Sequence, residues 1–180
     1  DPNGRPHITY YDASNGWLKY ISYNGTAWDP PVVLDSSPTV GQYSSLVFSR
    51  SAANCLDGAP TTGFCPFISY YDATNGDLKI MYKSLTNAWV TTVIDSAGTV
   101  GQYGSMVLDY GGSLQVVYYD ASNGDLKHAT GVKTGNSYDF SGPKNIVDSA
   151  GDVGQWASLA VDGSNNLHAS YYDATNGNLK

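Results

Sequence analysis

The sequence predicts an all-β repeat fold made of four-stranded antiparallel sheets. Three observations predict it. All 16 acidic residues are Asp and none is Glu, while Lys and Arg total only 9, so strong helix formers are scarce. Gly (20) and Tyr (15) are abundant instead; turns draw on Gly, and pleated half-buried surfaces favour Tyr, Val and Thr. The third observation is internal repetition, the signature of repeat architectures.

One segment occurs four times, at His7 to Lys19, Phe67 to Lys79, Gln115 to Lys127 and His168 to Lys180. A second occurs three times, at Asp35 to Leu46, Asp95 to Met106 and Asp148 to Leu159. The units read roughly as residues 1–43, 44–103, 104–156 and 157–180, giving three full periods and a partial one in a single repeat domain. The stretch 50–66 reads as an insertion into the second unit, closed by a Cys55–Cys65 disulfide. A metal or redox pair is the alternative, but a metal needs more ligands and no His lies nearby. A disulfide implies an oxidising compartment.

Within one unit the pattern predicts four strands. The first lies near Ser44 to Ser49, with counterparts at Gly104 to Asp109 and Ala157 to Asp162. The second is Phe67 to Tyr71, the third Leu78 to Lys83, the fourth Trp89 to Ile94. Between the second and third lies Asp-Ala-(Ser/Thr)-Asn-Gly. Its Asn-Gly pair is a strong hairpin signal because both residues tolerate positive φ. Structural turns are therefore expected at Asp12, Asn15 and Gly16; Asp72, Asn75 and Gly76; Asp120, Asn123 and Gly124; and Asp173, Asn176 and Gly177. The Asp carboxylates are expected to accept turn N–H groups.

Side chains alternate across a strand. Ile68 and Tyr70 fall on one face of the second strand, Ser69 and Tyr71 on the other. Large side chains on both faces mean that both are covered. A β-propeller blade, held between two neighbouring blades, explains that pattern, and units of about fifty residues match four-stranded kelch-type repeats. The expected fold is thus propeller-type blades of four-stranded antiparallel sheet. Because both ends of the chain duplicate the same strands, it reads as part of a larger propeller or assembly, completed by further repeats of the same polypeptide or by other copies of itself.

These Tyr-Tyr-Asp-x-x-Asn-Gly-Asp-Leu-Lys units resemble the repeats of secreted bacterial β-propeller proteins, across essentially the whole chain. They are distantly similar to sialidase-like Asp-box propellers and to propeller lectins. The resemblance implies an extracellular or cell-surface location and glycan binding. The pattern departs from the Asp box, Ser-x-Asp-x-Gly-x-x-Trp: Gly16 lies four residues after Asp12, and the final aromatic is missing.

Composition narrows the chemistry. A net charge of −7 argues against a nucleic-acid partner bound through phosphates. No run approaches about 18 consecutive apolar residues, so no membrane span is expected. A sialidase would need an Arg cluster and a Tyr–Glu nucleophile pair, but the chain has only Arg5 and Arg50 and no Glu. An Asp pair could run glycoside hydrolysis, yet the Asp residues recur by symmetry, as structural residues do. His7 and His168 share a repeat column with Phe67 and Gln115, which reads as packing or surface. The Asp-Ala-Ser-Asn-Gly loop lacks EF-hand spacing. No catalytic residue, cofactor or metal is expected.

The ligand-binding candidate is Val-Gly-Gln-(Tyr/Trp), read as the loop between one unit's outer strand and the next unit's inner strand. It carries Gln42 and Tyr43, Gln102 and Tyr103, and Gln155 and Trp156. An aromatic ring beside an amide suits sugars: the ring stacks on apolar C–H faces and the amide bonds hydroxyls. The plainer alternative is that Gln satisfies loop backbone groups and the aromatic packs between blades. Two functions follow as expectations. One is a non-catalytic binding or scaffold module for extracellular glycans. The other is a structural subunit of a filament, appendage or surface layer. A sialidase-like glycosidase is the remote third.

Overall fold

The computed structural model describes residues 1–49, 65–83, 88–135 and 137–180. These residues form fifteen strands and no helix. The first sheet holds β1 (His7–Asp12), β2 (Trp17–Ser22) and β3 (Val32–Asp35). The second holds β4 (Val40–Phe48), β5 (Pro66–Asp72), β6 (Asp77–Lys83) and β7 (Trp89–Asp95). The third holds β8 (Val100–Leu108), β9 (Leu114–Asp120), β10 (Asp125–Thr134), β11 (Ser137–Asp139) and β12 (Asn145–Asp148). The fourth holds β13 (Val153–Val161), β14 (Leu167–Asp173) and β15 (Asn178–Leu179). All pairing is antiparallel. The expected second, third and fourth strands are present to within a residue at either end.

Two expectations on the fold need correction. The sheets hold three to five strands, not a uniform four. The fifth strand of the third sheet, β11, pairs with the far end of β10. Gly131 permits this: a Cβ there would lie 2.2 Å from the Phe140 ring, so only a glycine lets Phe140 fold back onto the strand. The first strand of each unit also begins at Val40, Val100 and Val153, earlier than the sequence pattern suggests.

The four hairpin turns are built alike. Each Gly N–H donates to the Asp carbonyl four residues back, at 2.7 Å for Gly16–Asp12 and 2.8 Å for Gly76–Asp72, Gly124–Asp120 and Gly177–Asp173. Each Asp carboxylate accepts the Asn side-chain amide, at 2.8 to 2.9 Å. Only the Gly is left-handed, with φ of +69 to +78°; the Asn is not. Asn15, Asn75, Asn123 and Asn176 therefore serve as side-chain donors in a four-residue loop, not as the first residue of a two-residue turn.

Consecutive sheets dock through these turns. The turn glycine's carbonyl accepts the N–H of the valine that opens the next sheet: Val40 to Gly16 (3.0 Å), Val100 to Gly76 (2.8 Å) and Val153 to Gly124 (2.9 Å). The following glycine lies against a leucine of the preceding sheet. A Cβ on Gly41, Gly101 or Gly154 would sit 2.7, 2.7 and 2.9 Å from the Cβ of Leu18, Leu78 and Leu126, all fully buried. Three apolar clusters result, one at each junction. Leu18, Val40, Ile68 and Tyr70 join the first and second sheets. Leu78, Ile80, Val100 and Val116 belong to the core joining the second and third. Val117, Leu126 and Leu159 join the third and fourth. In β5 and β9, residues on both faces are buried, as expected of strands covered on each side.

A tyrosine–aspartate bond also crosses each junction. Tyr70 donates to Asp35 (2.8 Å), Tyr118 to Asp95 (2.6 Å) and Tyr171 to Asp148 (2.8 Å). Lys127 adds a 2.6 Å bond to Asp95, and Lys180 one to Asp148. Burial pushes the Asp95 carboxyl up, but Lys127 and Tyr118 outweigh it and hold it below its ordinary value. Lys180, the Ala150 N–H and Tyr171 hold Asp148 at about 2.

Two outcomes follow. Gly101→Ala should destabilise the protein by at least about 2 kcal/mol, because φ is +105° and the new methyl would overlap Leu78. Gly142→Ala, with open space around it, should leave the denaturant midpoint nearly unchanged. Equal effects would mean that the glycine–leucine approach does not matter. Acid should also loosen the junctions. Asp95 and Asp148 titrate lower when folded, so their contribution is complete above about pH 4 and is lost as pH falls toward 2. Melting temperature followed from neutral to acid pH should fall most steeply inside that window, with a smaller earlier loss as the half-buried His7 and His128 take up protons; a fall already complete near neutrality would contradict the assignment.

Candidate functional site

The Val-Gly-Gln-(Tyr/Trp) residues do not form a loop between sheets. They open the first strand of the second, third and fourth sheets, inside β4, β8 and β13. Each strand carries a double register shift there. In β4, Val40 faces Asp72, Gln42 faces Tyr71, and Ser45 faces Ser69. The same pattern recurs in β8 and β13. Bulges of this kind leave residues unpaired and re-aim their side chains. The docking glycine stands at position two of this bulge and the aromatic at position four.

The aromatics sit in a backbone region that such residues rarely occupy. Tyr43 and Tyr103 have φ of +52° and Trp156 has +49°, a conformation that costs on the order of 1–3 kcal/mol each. The three rings form a row across the sheets. Tyr43 and Tyr103 lie 4.5 Å apart between centroids, and Tyr103 and Trp156 lie 4.9 Å apart. Tyr71, Tyr119 and Tyr172 flank the row at 6.2, 6.1 and 5.6 Å from their respective neighbours. The structure thus brings all three expected aromatics into one site. Exposure differs along it: Tyr43 is 38% exposed and Trp156 63%, while Tyr103 is half-buried between them. Burial, then a hydrogen bond with Tyr103, pushes the Tyr43 phenol up.

The amides behave differently from the backbone-satisfying role the sequence left open. Gln42, Gln102 and Gln155 are all half-buried at the row. Among the described residues, Gln42 and Gln102 make no side-chain hydrogen bond to the protein. Gln155 reaches Asp152, with its Nε2 3.4 Å from both carboxylate oxygens, and also the Tyr119 hydroxyl.

Two residues of this site were missed from sequence. Tyr119 donates a 2.7 Å hydrogen bond to Asp152 Oδ1, across the junction of the third and fourth sheets. Burial, then Asp152, pushes the Tyr119 phenol up to about 12, so it stays a donor at neutral pH. Asp152 could have been found, because it breaks a repeat column held by Thr39 and Thr99.

The other expected residues lie elsewhere. The turn residues at Asp12, Asp72, Asp120 and Asp173 cap hairpins. Cys65 is buried ahead of β5 and disulfide-bonded; Cys55, its expected partner, lies outside the described residues, as does most of the insertion. Each histidine is engaged locally: His7 with Tyr20, His128 with Gln115 and His168 with Asp162. Among the described residues, no group of three or more His, Cys, Asp or Glu could hold a metal ion, and no helix is long and apolar enough to cross a membrane.

Fold and site together define an all-β repeat protein of docked antiparallel sheets with an aromatic–amide row. No protein-family model matches the chain, and no curated protein is significantly similar to it.

Amides with no protein partner should be dispensable for folding. Gln42→Ala and Gln102→Ala should each change unfolding free energy by less than about 0.5 kcal/mol in urea titrations. A loss several times larger would return the glutamines to a structural role.

Proposed function

We propose that this chain is a non-catalytic extracellular β-propeller repeat protein whose aromatic–amide row binds glycans. One observation carries the reading. Three aromatics are held in costly left-handed backbone, in a row, beside three amides, two of which, Gln42 and Gln102, make no side-chain hydrogen bond among the described residues. Strain of this kind clusters at binding sites. Rings flanked by amides match the two demands of a pyranose, an apolar C–H face and a rim of hydroxyls. The propeller reading is supported by the sequential antiparallel sheets and by the contact between their first strands, β4 against β8 and β8 against β13. Absence of catalysis is supported by the symmetric use of Asp in turns and junctions. An extracellular or cell-surface location is supported by the disulfide-bonded Cys65.

A second reading, a structural subunit of an extracellular assembly, has its own observation. Ile146 and Val147 are 60% and 51% exposed on β12, which among the described residues pairs only with β10. This outer strand presents an apolar strip suited to other copies.

Screening residues 1–180 on a glycan array, with light scattering on the same sample, separates the two. The binding reading expects glycan hits whose affinity falls about tenfold or more in a Gln42→Ala, Gln102→Ala, Gln155→Ala triple variant. No hits, together with a mass that climbs with concentration, would favour the structural subunit.

A further inference from the structure

The repeats are not equivalent at the row, and the difference points to one place. Where the second and third sheets open on Thr39 with Tyr43 and on Thr99 with Tyr103, the fourth opens on Asp152 with Trp156. Both changes fall at the junction of the third and fourth sheets. There Trp156 lies 4.9 Å from Tyr103, with the rings tilted 46°. Asp152 takes the Tyr119 hydroxyl on Oδ1 at 2.7 Å, and Oδ2 receives only one long 3.4 Å approach from Gln155 Nε2. A carboxylate offers about four acceptor positions, so Asp152 keeps acceptor capacity toward solvent. Among the described residues no cation pairs with it. At the equivalent junction one sheet earlier, Thr99 stands where the carboxylate would be, and Gln102 has no partner.

Resting on the glycan-binding reading, we propose that this junction is the principal sugar subsite and that it selects neutral glycans. Trp156, the larger and more electron-rich ring, stacks on the C–H face of a pyranose. Asp152 accepts hydrogen bonds from its hydroxyls, and the Gln155 amide supplies a donor beside them. The Tyr119 bond holds the carboxylate in place. The same unpaired negative charge, on a chain of net charge −7, repels carboxylate- and sulfate-bearing sugars. Selection arises from electrostatic rejection as much as from contact.

The test uses substitutions that the fold already carries elsewhere. Asp152→Thr with Trp156→Tyr gives the opening of the fourth sheet the residues of the second and third, so the sheet should fold. Binding of N-acetyllactosamine, cellotetraose and chitotetraose would be measured by calorimetry against sialyllactose and trigalacturonate. The wild-type chain should bind at least one neutral sugar and neither anionic one. The double variant should lose affinity for it by about tenfold or more, the scale of a hydrogen bond to a charged group, with an unchanged melting temperature. Neutral binding that is equal in wild type and double variant would overturn the subsite while leaving the row as a binding surface. Preference for the anionic sugars would overturn the selectivity. Failure of every glycan, on the array as well, would remove the binding reading and the subsite with it.

Discussion

The close approach of a glycine to a leucine across each junction is the constraint on which the rest depends. At Gly41, Gly101 and Gly154 the backbone of one sheet meets Leu18, Leu78 and Leu126 of the sheet before it, with no space for a Cβ. Contact at this distance requires φ of +102 to +107°, which only glycine adopts without steric cost. It also brings the preceding valine's N–H onto a turn carbonyl of the other sheet. Hydrophobic burial and backbone hydrogen bonding are thus satisfied by one arrangement, repeated three times.

The bulges that accompany the docking disturb ladder hydrogen bonds, and the sequence supplies replacements. Ser45 accepts the Met106 N–H at 3.1 Å, and Ser105 accepts the Leu159 N–H at 3.0 Å. Each is a hydroxyl of one first strand serving the backbone of the next. The Tyr–Asp bonds cross the same junctions, buried at Tyr118–Asp95 and partly buried at the other two. They would cost stability if either partner were missing; paired, they fix which sheet faces which. The docking explains the bulge; it does not call for an aromatic at its crest.

The repeat, the hairpin turns and the two-faced second strand were legible because each is local or periodic. Val-Gly-Gln reads as a loop for a physical reason: a glycine and an irregular polar run are the marks of a turn, and only the neighbouring sheet turns them into a bulged strand. The Asn of Asn-Gly was read by its backbone tolerance, whereas its side chain does the work, bonding an Asp three residues back. Tyr70 and Asp35 stand too far apart in sequence for their bond to be foreseen. Asp152 was visible as a broken column, but its meaning needed Tyr119 beside it.

If docking governs the fold, the sheets cannot part separately, and hydrogen exchange of three amides measures this directly. The N–H groups of Val40, Val100 and Val153 donate across the junctions. They should exchange as slowly as ladder amides within β5 and β9, opening only with global unfolding. Exchange of these three amides orders of magnitude faster than the ladder amides would mean that the sheets are stable alone and the junctions incidental.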